Sequence, residues 1–125
     1  MSGSRREKIE AMLKDDPADV FLRYSLALEL ESAGEWEAGL EILEQLARET
    51  PRYVPAFHMA GQHLVKHGRI DDARRALREG IEVARAAGES HAAAEMAELL
   101  ASLGSAGEAA VSPGPARAPR PPSPS

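Results

Sequence analysis

The residues best suited to chemistry in this chain are the histidines of the segment HMAGQHLVKH. His63 and His67 stand four apart, a spacing that on a helix turns two imidazoles toward one metal ion, and His58 lies on the same segment. A zinc-protease motif needs glutamate directly after the first histidine, and Leu64 occupies that place. The chain has no cysteine and no acidic third ligand adjacent in sequence, while a metal site needs three or four donors. The histidines therefore read as solvated or groove-lining, and no metal or cofactor is expected.

Nucleophilic and acid–base catalysis find no better footing. Ser90 and His91 are neighbours, but no glycine-rich phosphate loop, nucleophile elbow or ordered serine, histidine and acid accompanies them. The many glutamates fall on outward faces, where they keep a protein soluble; acid–base work needs a desolvated pair in a cleft. An enzyme is not expected.

Arg74, Arg75 and Arg78 form a basic stripe. The formal charge of −5 and the aromatic content of only 4% argue against nucleic acid, which is bound by phosphate neutralisation and base stacking. Acids dominate from Glu10 to Glu49, opposed only by Lys14, Arg23 and Arg48, whereas bases dominate from Arg52 to Arg85. The stripe is expected to pair with Glu37, Glu41 and Glu44 of the preceding segment, within one chain or between chains stacked end to end. Each exposed pair would contribute only about 0 to 1 kcal/mol.

The elements that must position these residues are helical. Ala, Leu, Glu and Arg recur throughout, and all of them retain or lose little side-chain freedom in a helix. A shift of 34 residues superimposes one segment on another: Val20 falls on Val54, Leu26 on Ala60, Ala27 on Gly61, Leu30 on Leu64, Gly34 on Gly68, Trp36 on Ile70, Gly39 on Ala73 and Leu43 on Leu77. Each copy divides at its glycine into two apolar-periodic stretches, which predicts a helix, a tight turn and a second helix. Asp16 is expected to cap the first helix with Pro17 in its first position, and Asp19 to place charge in its first turn. Leu22, Leu26 and Leu30 form one apolar stripe and Leu40, Leu43 and Ala47 the facing one. Pro51 closes the first copy, and the next helix begins near Val54 and Pro55.

Outside the copies, residues 4–15 carry Ile9, Met12 and Leu13 at helical spacing and are expected to cover the first repeat. Ser90 to Leu103 reads as a capping helix with a seam of Ala93, Met96, Leu99, Leu100 and Leu103. From Gly104 to Ser125 proline becomes too frequent for helix, and a disordered tail is expected. Pro119 and Pro122, with Arg117 and Arg120 nearby, have the spacing read by proline-binding domains, but a plain tail is the simpler reading. Met1 to Lys8 is polar and charged, no apolar run approaches the roughly 20 residues that span a bilayer, and a cytoplasmic, non-membrane protein is expected.

The period and the paired helices resemble the tetratricopeptide repeat family, in the form of a small bacterial-type protein with two repeats plus flanking helices. The likeness covers residues 4–103, with repeats at about 20–53 and 54–87. It is carried by Leu26, Ala27, Leu30, Gly34, Trp36, Gly39, Leu43, Leu46 and Pro51, and again by Ala60, Gly61, Leu64, Gly68, Ile70, Ala73, Leu77 and Gly80. Arg85 stands where a closing proline is usual, so the second helix of that repeat should run to about Ala87; Arg23 and Phe57 replace the family's early tryptophan.

The resemblance implies an all-α fold, a short right-handed α-solenoid, that binds proteins as an adaptor, scaffold or assembly factor. It also implies that the first helix of each repeat lines a concave groove holding a peptide segment of a partner. The matching outward positions are Phe21, Tyr24, Leu28, Glu31, Pro55, His58, Gln62, Val65 and Lys66. Some members grip a carboxy-terminal carboxylate with lysine and asparagine, but Tyr24 and Leu28 stand in those places, so a clamp of that kind is not expected. The competing expectation is a structural, weakly associating homo-oligomer in which the acidic repeat of one chain meets the basic repeat of another.

Overall fold

The computed structural model describes residues 2–111 as six helices, α1 (Ser2–Asp15), α2 (Val20–Ser32), α3 (Trp36–Arg48), α4 (Val54–Lys66), α5 (Ile70–Ala86) and α6 (Ser90–Val111), with no strand among the described residues. Consecutive helices pack on one another as antiparallel hairpins, most closely in the pairs α2/α3, α4/α5 and α5/α6, and α4 also touches α6. The all-helical expectation therefore holds at the level of class and hairpin packing.

The hairpin turns share one chemistry. Gly34, Gly68 and Gly88 adopt φ of 86°, 78° and 76°, a left-handed conformation that costs a residue with a Cβ on the order of 1–2 kcal/mol. In each turn the residue after the glycine donates back to the preceding helix: Glu35 N–H to the Leu30 carbonyl (2.8 Å), Arg69 to Leu64 (2.7 Å) and Glu89 to Ala84 (2.8 Å). These bonds satisfy carbonyls that a helix end leaves without partners. The third glycine turn joins α5 to α6, at the place where Glu49–Tyr53 join α3 to α4, and α6 begins 36 residues after α4 as α4 begins 34 after α2 (20, 54 and 90).

Small residues set how closely the helices approach. A Cβ on Gly39 would lie 2.6 Å from the Ala27 carbonyl oxygen, one on Gly61 2.6 Å from Leu77 Cδ2, and one on Gly80 2.5 Å from Phe57 Cβ. Into the space so defined pack Leu43, Leu46, Leu77 and Met96, the largest fully buried side chains, each contributing roughly 1.5–3 kcal/mol by leaving water.

Two boundaries and one packing contact differ from the expectation. The cap of α2 is Asp19, not Asp16: Asp19 is extended (φ −62°, ψ 117°) and its Oδ1 accepts the Leu22 N–H at 2.8 Å. Asp16, Pro17 and Ala18 form an exposed turn instead, closed by the Asp19 N–H on the Asp16 carbonyl at 3.2 Å. At the other end α6 does not stop at Leu103 but continues to Val111, because Ala106, Glu108, Ala109 and Ala110 favour helix and the first proline is Pro113. The rest of the expected tail, 112–125, lies outside the described residues. In α1, Ile9 is buried and Leu13 half-buried, but Met12 remains exposed, since α1 packs chiefly on α2 and buries only one narrow stripe.

The connection from α3 to α4 runs through the exposed Pro51 and is tied at both sides. The Tyr53 N–H donates to the Leu46 carbonyl (3.0 Å) and Arg52 Nε to the Ala47 carbonyl (2.9 Å), so the last turn of α3 is capped by residues beyond the proline.

Candidate partner-binding face

Phe21, Tyr24 and Leu28 lie along α2 at spacings of three and four, which places them in one row. Their surroundings differ. Phe21 is 68% exposed, by far the most open large apolar side chain among the described residues. Tyr24 is half-buried and meets Tyr53 edge to face, ring centroids 5.6 Å apart. Burial, and secondarily Tyr53, raise the Tyr24 phenol above its ordinary range, so it stays neutral and able to donate a hydrogen bond. Leu28 is partly covered.

On α4, Pro55 and Gln62 are exposed and His58 half-exposed, and the Gln62 amide donates to His58 Nε2 at 3.2 Å, one helical turn away. Val65 is packed partly against the core. Glu31 and Lys66 are engaged with each other: Lys66 Nζ lies 2.7 Å from Glu31 Oε2, and the bond from Lys66 holds the Glu31 carboxyl below the usual carboxylate range. Of the nine positions, then, three give an apolar row on α2, two a polar pair on α4, and two an ion pair latching the C-terminal ends of these helices.

The two histidines four apart differ, His63 being buried and His67 half-buried. His63 is buried, 6% exposed, with Nδ1 lacking any partner, and burial pushes its imidazole below its ordinary value. His67 stacks on Trp36, and its Nε2 lies 3.4 Å from Glu31 Oε2, within ionic reach but too poorly aligned to be a hydrogen bond. His63 is drawn inward because its place on α4, between Gly61 and Leu64, belongs to the face that packs against the neighbouring helices. Among the described residues no three histidine or acidic side chains gather as metal ligands.

The basic stripe also pairs differently from the expectation. Arg74 NH1 binds Asp71 (2.8 Å), Arg75 contacts Asp72, and Arg74 NH2 donates to the Leu103 carbonyl (3.1 Å), joining α5 to α6. Glu37, Glu41 and Glu44 have no ion pair with another described residue. The aspartates sit one turn away on the same helix, so pairing with them immobilises less chain than a bridge to α3. Besides Glu31–Lys66, further pairs tie separate elements together. Arg23 grips Glu49 with both guanidinium nitrogens (2.8 and 2.5 Å), and Arg48 and Arg52 share Glu79, with Arg52 also lying over the Phe57 ring at 5.2 Å.

A second concavity is lined by α3, α4 and α5. Leu40, Ala47, Phe57, Ala60, Leu64 and Ala76 line a cleft of about 370 Å³, and its rim carries the Arg48–Glu79 and Arg69–Asp72 pairs and Glu44.

This arrangement of helices is shared with a solved structure. The solution structure of protein BPP2914 from Bordetella parapertussis superimposes with a TM-score of 0.72 at 25% sequence identity, covering 83% of this chain and 90% of that one. No protein-family model matches the sequence, and no curated protein matches it. The likeness supports a helical-hairpin fold over the part of the chain that it covers. Among the described residues no helix is long and apolar enough to cross a membrane.

Proposed function

We propose that the chain is a non-catalytic protein-interaction module of the tetratricopeptide type, an adaptor or assembly factor that holds a segment of another protein against the face formed by α2 and α4. The observation that carries this reading is Phe21. A phenylalanine 68% open to water, continued along one helix by Tyr24 and Leu28, is a ready apolar anchor site, and the neighbouring His58 and Gln62 offer polar partners for the adjoining backbone or side chain. The Glu31–Lys66 bridge bounds this face at one end, which favours a short segment lying beside the N-terminal halves of the two helices. Self-association through the basic stripe has less support, because Arg74 and Arg75 are already paired with Asp71 and Asp72.

A photo-crosslinking residue in place of Phe21, compared with one in place of Glu37 on α3, tests the assignment in the native cell. A defined polypeptide captured from position 21 and not from position 37, and lost on adding Tyr24→Ser, is the expected result. Equal capture from both positions, or none from 21, would remove the reading.

A further inference from the structure

The face assigned to α2 and α4 does not end at α4. With the offset of 36 between the starts of α4 and α6 (54 to 90), the side chains of the two helices keep register. The buried Ala93 and Met96 fall at the places of the buried Phe57 and Ala60, and the exposed His91 and Glu98 at those of the exposed Pro55 and Gln62. Ala94 and Ala101 take the places of His58 and Val65 and are open to solvent. Because α4 also touches α6, the exposed side of α6 continues the surface that begins with Phe21 and Tyr24 and passes over His58 and Gln62.

We infer that the polypeptide held on this face is basic where it crosses α6: an apolar side chain anchors at Phe21, and a lysine or arginine of the same segment reaches Glu95 and Glu98. The inference rests on the function proposed above and adds to it a third helix and the charge of the partner.

The charges along the three helices point to this partner. On α2, Arg23 is gripped by Glu49, Glu29 lies 2.8 Å from Arg5, and Glu31 lies 2.7 Å from Lys66, which supplies the only lysine or arginine of α4. Every carboxylate, lysine and arginine of α2 and α4 thus has a partner of opposite sign. On α6 the pattern breaks. From Ser90 to Val111 there is no lysine or arginine, and Glu98 is exposed without an ion pair to another described residue. Glu95 meets the imidazole of His91, Oε2 to Nε2 at 3.2 Å, a group charged only when protonated. The two carboxylates stand three apart, neighbours on one side of the helix, and a cation from a partner would complete them.

Shape agrees with charge. Ala94 and Ala101 stand four residues before and three after Glu98, so methyl groups flank its carboxylate above and below. The apolar stem of a lysine or arginine can lie along these alanines while its charged head reaches the glutamates. Exposed ion pairs contribute little binding energy by themselves, so the anchor at Phe21 supplies the grip and α6 selects among the segments that have one.

Short random peptides displayed on phage, selected on the full-length protein and counted by sequencing, test the inference. The expected result is severalfold enrichment of peptides that combine a large apolar residue with lysine or arginine. Selection on Glu95→Gln with Glu98→Gln should keep the apolar residue and lose the basic one; both glutamates are exposed, and circular dichroism checks that the double variant stays folded. Basic enrichment that persists on the double variant would overturn the inference. Enrichment of apolar peptides without basic preference, lost on Phe21→Ser, would also overturn it while leaving the α2/α4 face standing. Peptides recovered equally well on Phe21→Ser, or no enrichment on the wild-type chain, would remove the α2/α4 face and this inference with it.

Discussion

The indole of Trp36 lies flat on the imidazole of His67, ring centroids 4.2 Å apart and planes inclined by only 9°. Trp36 opens α3 and His67 caps α4, so the stack joins the turn of one hairpin to the turn of the next. Glu31, at the end of α2, reaches Lys66 and His67 on the same side, and the three helix ends meet as a single cluster. Pairs of helices that otherwise touch through alanine and glycine are thus pinned at one end by an aromatic stack and a carboxylate.

Replacing Trp36 by alanine should therefore loosen the junction between the hairpins more than either hairpin alone. A tryptophan-to-alanine change in a core costs about 3–5 kcal/mol, and this ring is only partly buried, so a loss near the lower end is expected. Urea unfolding followed by circular dichroism measures it. His67→Phe, which keeps a stacking ring, should lose much less; equal losses in the two variants would mean that the stack contributes nothing beyond the volume of the indole.

Two glycines separate the effect of space from that of backbone angle. Alanine at Gly39 meets the Ala27 carbonyl oxygen at 2.6 Å in a helix interior, and overpacking of this kind costs about 1–3 kcal/mol against a gain in helix propensity of about 1 kcal/mol. Alanine at Gly68 has open space around it but must adopt φ +78°, at about 1–2 kcal/mol. Both variants should lower the urea midpoint, but D-alanine introduced synthetically should rescue position 68 and not position 39. Stabilisation by Gly39→Ala would show that α2 and α3 can separate freely at that point.

His63 sets a pH dependence whose sign follows from its burial. Burial is the main cause of its lowered imidazole value, Lys66 and His67 act in the same direction, and Glu31 opposes them. The unfolded chain thus takes up a proton near the ordinary value of 6.5 before the folded one does. Stability should be constant above that pH and fall as the pH drops below it, levelling off once the folded-state histidine is charged as well. Glu31, Glu49 and Glu79 are shifted downward from 4.5 by Lys66, by Arg23, and by Arg52 with Arg48 respectively, so their contribution persists above 4.5 and is lost only at lower pH. Thermal melts between the two values isolate His63, and His63→Gln should flatten the curve there. A slope unchanged by that substitution would assign the effect to another group.

Much of this architecture is legible in the sequence because it rests on spacing. Gly34 and Gly68 mark turns that need a left-handed residue, and Ala27, Gly39, Gly61 and Gly80 mark close approaches; both are backbone requirements that few other residues meet. Long charged side chains are harder to read. Arg74 and Arg75 have acids within reach on several helices, and the choice of Asp71 and Asp72 turns on entropy differences of a few tenths of a kcal/mol, far below what a pattern of residue types resolves. His63, read from the sequence as solvated or groove-lining, is buried for a related reason: histidine suits a wet or a dry face, and only the position of α4 among its neighbours decides between them. Asp16 and Asp19 are both good caps, and the helix starts at the one that leaves Pro17 in an exposed turn.

The row on α2 gives the last prediction, because its exposure and its packing run in opposite directions. Phe21 projects into solvent, so Phe21→Ser should change the unfolding free energy by no more than about 0.5 kcal/mol while removing the proposed anchor. Tyr24 is half-buried against Tyr53, so Tyr24→Ala removes an aromatic pair worth about 0.5–1.5 kcal/mol beyond the buried area of its ring and will weaken the fold whether or not the face binds anything. Partner capture and urea stability measured together on both variants should show binding lost in Phe21→Ser with stability kept. The reverse pattern, in which capture survives Phe21→Ser and declines only as far as stability declines in Tyr24→Ala, would mean that this face is part of the scaffold and that any partner docks elsewhere.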